Sequence, residues 1–200
     1  MRLIASVLAL LLLAACQPAP EAGCARLPGA GQYCLQDSPG PHFETLQESV
    51  LNAGGQRHTL LTRLGNDETG LRFVALSPLG QTVFAVSWEN GALHATLPEA
   101  LAGRIDPALF PALIQIALWP ADTVRRGLST ELELHANARG RQLRRTGTPD
   151  KNTEQTVLNI TWEGELPYRR LRIEAPGALV IDARALDTAA SAAESERETP

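Results

Sequence analysis

The sequence predicts a mainly β fold of the α+β class: a single curved antiparallel sheet or open half-barrel of about 9–11 strands, with a helical insertion near residues 107–127 packed on its concave side. Three observations lead there. Apolar and polar residues alternate in short runs through both halves of the chain. Turn signals separate those runs. One stretch, 109–119, abandons the alternation and is apolar on nearly every side, which places it against a surface that covers both its flanks.

The first half reads as a meander. His58 to Leu64 alternates, with Leu60, Thr62 and Leu64 on one face. Leu71 to Leu76 and Thr82 to Trp88 are rich in β-formers and are joined by the turn Ser77-Pro78-Leu79-Gly80. Asn90-Gly91 stands between Trp88 and Leu93, and both residue types tolerate the positive φ that a two-residue hairpin turn demands. Leu93, Ala95 and Leu97 then alternate with His94 and Thr96.

The period changes at Asp106-Pro107, a cap followed by a first helical position. The apolar helix runs from Leu109 to Trp119, Pro120 stops it, and a short second helix covers Ala121 to Arg126. Strands resume with Leu132, Leu134 and Ala136 alternating, then Arg139 to Arg145, then Leu158, Ile160 and Trp162. Leu171 to Ala175 is a half-exposed strand, and Ala178 to Ile181 ends the sheet.

Ahead of the body, residues 1–15 have the form of a signal peptide: Arg2, an apolar run from Leu3 to Leu13, and Ala14-Ala15. The run is too short to cross a bilayer, which takes about 20 residues. Leu13-Ala14-Ala15-Cys16 matches the bacterial lipobox, so Cys16 is the expected point of lipid attachment, carrying diacylglyceryl and N-acyl groups; two or more chains anchor a protein stably. Gln17, rather than Asp, follows it and directs the expectation to the periplasmic face of the outer membrane. Residues 16–41, rich in Pro, Gly and Ala, are expected to be the lipidated N-terminus and tether. Residues 42–187 form the β-rich domain, and 188–200, with no large apolar side chain, a disordered tail. With Cys16 lipidated, Cys24 and Cys34 remain as a pair in an oxidising compartment, and a disulfide between them would contribute about 2–3 kcal/mol.

The chemistry-bearing patterns are mostly missing. A net charge of −4 argues against nucleic acid as a partner. There is no Gly-x-Ser-x-Gly, no phosphate loop and no His-Glu-x-x-His. His42, His58, His94 and His135 are scattered singly, and Asp67, Glu68 and Asp106 read as turn and cap residues. The expectation is a protein that is not an enzyme, with no catalytic residue, no metal ligand and no cofactor beyond the acyl groups on Cys16. Arg125, Arg126, Arg139, Arg141, Arg144, Arg145, Arg169, Arg170 and Arg172 crowd the second half and read as the wet faces of strands, with lipid phosphates as the alternative. Phe73, Phe84, Trp88, Phe110, Leu113, Ala117 and Trp119 are the candidate lining of a hydrophobic cavity, with ordinary core as the alternative.

Two motifs carry a resemblance. Ser77-Pro78-Leu79-Gly80-Gln81 with Val83-Phe84, and Leu109 to Pro120 with its ending Gln115-Ile116-Ala117-Leu118-Trp119-Pro120, resemble a family of bacterial lipoproteins that form a domain of unknown function. Its members are commonly encoded among genes for aryl-polyene and related fatty-acid-type products. The strand-rich pattern is also similar to the outer-membrane lipoprotein receptor fold (LolB-like), an open half-barrel whose helices shelter acyl chains. The departure is that no helix precedes the first strand. The resemblance implies an outer-membrane lipoprotein that binds, receives or transfers a hydrophobic acylated molecule, an aryl-polyene lipid or a lipoprotein, in the periplasm. Its expected partners are the membrane through the anchor, a hydrophobic lipid-like ligand and a periplasmic carrier protein. The alternative is a non-enzymatic scaffold or protein-docking module of an envelope biosynthetic complex.

Overall fold

Alternation of side chains along each strand is what sorts this chain into two faces, and the sheet it builds is large. The computed structural model describes residues 23–29, 31–146 and 155–186. The signal peptide, Cys16 and the tail from 188 lie outside them.

In chain order the elements are β1 (Cys24–Arg26), β2 (Gln32–Cys34), β3 (Phe43–Ala53), β4 (Gln56–Asp67), β5 (Gly70–Leu76), β6 (Thr82–Glu89), β7 (Ala92–Thr96), α1 (Leu109–Leu118), α2 (Ala121–Gly127), β8 (Leu132–Asn137), β9 (Gly140–Arg145), β10 (Thr156–Glu163), β11 (Arg170–Ala175) and β12 (Leu179–Ala185). Strands β1 and β2 make a hairpin of their own. The other ten form one open antiparallel sheet in the order β7-β6-β5-β4-β3-β12-β11-β10-β9-β8. The chain steps outward from β3 to one edge at β7, crosses to the other edge through the two helices, and steps back from β8 to β12. A central seam, with Ser49 opposite Ala183 and Leu51 opposite Ile181, joins the two meanders. Asn90 and Gly91 both take positive φ, 51° and 74°, as the tight β6–β7 turn requires.

One face of the sheet is apolar. Leu64, Phe73, Ala75, Phe84 and Val86 line it on the first meander, and Leu134, Leu143, Ile160, Leu171 and Ile173 on the second. The other face carries ion pairs: Arg172 with Asp182 at 2.7 Å, Arg184 with Glu48 at 3.8 Å, Arg63 with Glu44, and Arg72 with Asp67. Helix α1 lies on the apolar face against β5 and β6, with β1 on its far side, and α2 leads on to β8. Pro111 is tolerated because it falls in the first turn, where backbone N–H groups have no partner within the helix.

Three expectations change. The helix starts at Leu109, not at Pro107: Asp106 closes a turn ahead of it, its Oδ1 accepting from the Ala108 N–H at 3.0 Å and its carbonyl from the Leu109 N–H at 3.1 Å. The meander begins not at His58 but at β3, the longest element of the seam, which carries no clean alternation because its inward side chains include Gln47 and Ser49, both buried. The third change concerns 16–41, read as a tether. From Gly23 on, this stretch is packed structure: Cys24 and Cys34 stand opposite each other and are disulfide-bonded, and Ala25 and Tyr33 are 0% exposed. The folded body therefore begins ahead of residue 42.

Candidate functional site

The least ordinary element of the sequence is the best place to build from. Helix α1 is apolar on every side but for Gln115, and every residue from Pro111 to Leu118 is buried, so it is covered all round. Near its start, Phe110 stacks on Phe73 at 5.1 Å and lies 5.0 Å from Phe84, while Phe73 and Phe84 are 5.4 Å apart. At its far end Trp119 is buried and donates from Nε1 to the Ser38 carbonyl at 3.0 Å. Gly40 lies on that ring so closely that a Cβ there would come within 2.3 Å of it. All seven candidate cavity residues, Phe73, Phe84, Trp88, Phe110, Leu113, Ala117 and Trp119, meet in one core cluster. Their own rings and methyl groups occupy the space between helix and sheet.

Two polar residues inside this apolar region were not singled out from the sequence. The first is Gln115, fully buried on α1. Its Oε1 accepts from the Tyr33 hydroxyl at 3.0 Å and the Gln36 N–H at 2.9 Å, and its Nε2 donates to the Gln36 carbonyl at 3.0 Å. One amide thus ties the helix to the segment behind the disulfide hairpin. Burial pushes the Tyr33 phenol well above its ordinary range, so it remains a neutral donor.

The second is Arg141. Register pairs it with Ile160 on β10 and Ala136 on β8, which puts it on the same face as Leu143 and therefore inside. Its guanidinium donates from one terminal nitrogen to the Ile116 carbonyl of α1 at 2.5 Å and sits 5.7 Å from the Trp162 ring. Trp162 in turn stacks on Tyr168, 4.9 Å away and 7° from parallel. The buried Nε has no hydrogen-bond partner. Desolvation lowers the Arg141 pKa, and the nearby Tyr168 and Tyr33 phenols act the other way. None of the ion pairs among the described residues includes Arg141.

The remaining candidates take ordinary roles. Asp67 accepts from the Thr69 N–H at 2.8 Å and pairs with Arg72, whose guanidinium holds the carboxyl well below the usual range. Asp106 shapes the approach to α1. His135 lies 3.5 Å from Glu133 on the wet face. Among the described residues no group of three His, Cys, Asp or Glu is placed to hold a metal, and no helix is long and apolar enough to cross a membrane. The structural signal for Arg141 was present in the sequence, since Leu143 is flanked by arginines two residues away on either side and shares their face.

Residues 44–174 match the family described as Protein of unknown function (DUF3261). That is more than half of the chain, which belongs to this family, and the match runs from β3 into β11 and takes in α1 and Arg141. No curated protein matches the chain.

Proposed function

We propose that this member of the DUF3261 family is a lipid-anchored protein of the outer membrane, working at its periplasmic face, that binds and passes on a hydrophobic acylated molecule. The observation that carries the reading is α1: a buried helix, apolar but for Gln115, laid on the inner face of an open antiparallel sheet. An open sheet leaves its apolar face to be covered by something. An alkyl chain has the chemistry to take the helix's place, at about 0.8 kcal/mol per buried methylene. The half-barrel of the LolB-like receptors is the architecture this reading requires, and ten antiparallel strands around one buried helix support it.

The polar ties on α1 lie toward its C-terminal half: Gln115 to Tyr33 and Gln36, the Ile116 carbonyl to Arg141, and Trp119 beyond it to Ser38. Its opening turn is held by the stacking of Phe110 on Phe73 and Phe84. In the proposed cycle that opening turn lifts and an acyl chain, from an aryl-polyene lipid or a lipoprotein, slides beneath it. Cys16 supplies the anchor, and no residue is assigned a catalytic role. The same ring stack favours a second reading, a non-enzymatic scaffold or docking module of an envelope complex in which the helix never moves.

Native mass spectrometry of the full chain carrying Cys16→Ser tests the choice. The carrier reading expects a co-purifying acyl-containing mass, and uptake of a fluorescent fatty-acid probe once that mass is stripped. A chain that retains nothing and takes up no probe leaves the docking module.

A further inference from the structure

We infer that Arg141 is the recognition point for an anionic head group on an acyl-chain ligand, a carboxylate or a phosphate held by the guanidinium where it lies over the Trp162–Tyr168 ring stack. This rests on the carrier reading and specifies which end of the cargo lies where.

Position comes first. Arg141 shares the inner face with Leu143 and stands opposite Ile160, both 1% exposed, so a head group at Arg141 abuts the apolar core that a chain would enter as the helix lifts. Charge comes second. On the outer face, Arg172 is bound by Asp182 and Glu174, and Arg63 by Glu44. Arg141 is drawn further from water than these and meets none. A desolvated guanidinium without a counter-charge is costly, and an incoming anion removes that cost.

Unused donors come third. A guanidinium has five N–H groups in a planar fork that matches a carboxylate or phosphate two at a time. The Nε of Arg141 is buried without a partner, and the contact from its terminal nitrogen is to a neutral carbonyl, that of Ile116. A full anion competes well for that nitrogen because charge-assisted hydrogen bonds are about twice as strong as neutral ones. The Trp162 ring, 5.7 Å from the guanidinium carbon, supplies no carboxylate or other counter-charge. The other titratable groups that act on Arg141 are Tyr33, Tyr168 and Arg125, two neutral phenols and a cation, so the surroundings favour negative charge. Because Ile116 belongs to α1, an anion that draws Arg141 away also removes one of the helix's ties.

The test is calorimetric titration of the full chain carrying Cys16→Ser with dodecanoate, dodecyl phosphate and dodecanol, each below its micelle concentration at pH 8. At least one of the two anions should bind about tenfold or more tighter than the alcohol, the scale of one charge-assisted contact. A preference for dodecyl phosphate assigns a phosphate head, and a preference for dodecanoate a free acid. Arg141→Gln should abolish the preference, bringing both anions to the alcohol's affinity measured on the same variant. If that variant fails to melt cooperatively, Arg141→Lys carries the test: it keeps the charge, loses the fork, and should reduce the preference several-fold. Equal binding of all three by the unaltered site, or a preference untouched by the folded variant, overturns the inference alone. Failure of dodecanol and both anions to bind overturns it together with the carrier reading.

Discussion

Arg172 and Arg141 stand two strands apart in one sheet, on opposite faces, and their surroundings differ in every respect. Arg172 reaches water and is held by Asp182 at 2.7 Å and 2.9 Å and by Glu174 at 3.3 Å. Arg141 reaches inward to a backbone carbonyl and an indole ring and has no carboxylate. The outer face is a lattice of exposed charge pairs that keeps the sheet wetted at little energetic gain. The inner face is apolar enough that the desolvated guanidinium of Arg141 stands out, whereas Gln115, on the helix packed against it, has every polar atom engaged. The difference teaches where to expect sensitivity. Outside, partners are interchangeable; inside, a polar group either meets its one set of partners, as Gln115 does, or goes without, as the Arg141 Nε does.

Substitutions put that contrast under strain, the largest effect first. Leu113→Ala, on the buried helix, should destabilise the fold by about 2–5 kcal/mol in a denaturant titration, because neighbouring rings cannot close the gap. A loss below 1 kcal/mol would mean that the helix is not integral to the core. Gln115→Leu should follow, at about 1–3 kcal/mol, since it strands the Tyr33 hydroxyl and the Gln36 backbone groups in the interior. Combined with Tyr33→Phe in a double-mutant cycle, the two losses should fall short of additive, and strict additivity would break the proposed tie.

On the wet face the effects shrink. Arg172→Ala should change stability by no more than about 1 kcal/mol at moderate salt, and less as salt rises. A cost rivalling that of Leu113→Ala would erase the distinction between the faces. Smallest is Asp67→Asn. The folded-state pKa of Asp67 is depressed by Arg72 and Thr69, so its contribution is fully present above the ordinary carboxylate pKa and is lost as pH falls through the lowered folded value. Melting curves should show the variant slightly less stable at neutral pH, with the gap narrowing once pH drops below about 4.

Strands β5 and β6 were legible because their own residues carry the alternation and Asn90-Gly91 marks the turn beyond them. Strand β3 was not. Its inward positions Gln47 and Ser49 are polar, and its outward Leu46 and Val50 are half-buried, so the pattern is masked by a seam whose partner lies far along the chain. The β1–β2 hairpin has three residues per strand, too few for a period, and its burial comes from α1 rather than from itself. The position of Arg141 could be read from its spacing to Leu143, yet twelve arginines in the second half invite a single explanation for all of them. Its contact with the Ile116 carbonyl could not, because that depends on how far the crossing helix reaches across the sheet.

The seam also governs the order in which the chain can fold. Of the nine neighbour pairings in the ten-stranded sheet, eight join strands consecutive in sequence and need only short loops closed. The ninth, β3 with β12, waits until residue 185 has been made. Until then β3 is an edge of 11 residues, with its ladder of N–H and C=O groups open to a strand from any other molecule. A chain cut short before Leu179 would keep that edge permanently, and it should fail by pairing with its own copies rather than by losing its hairpins.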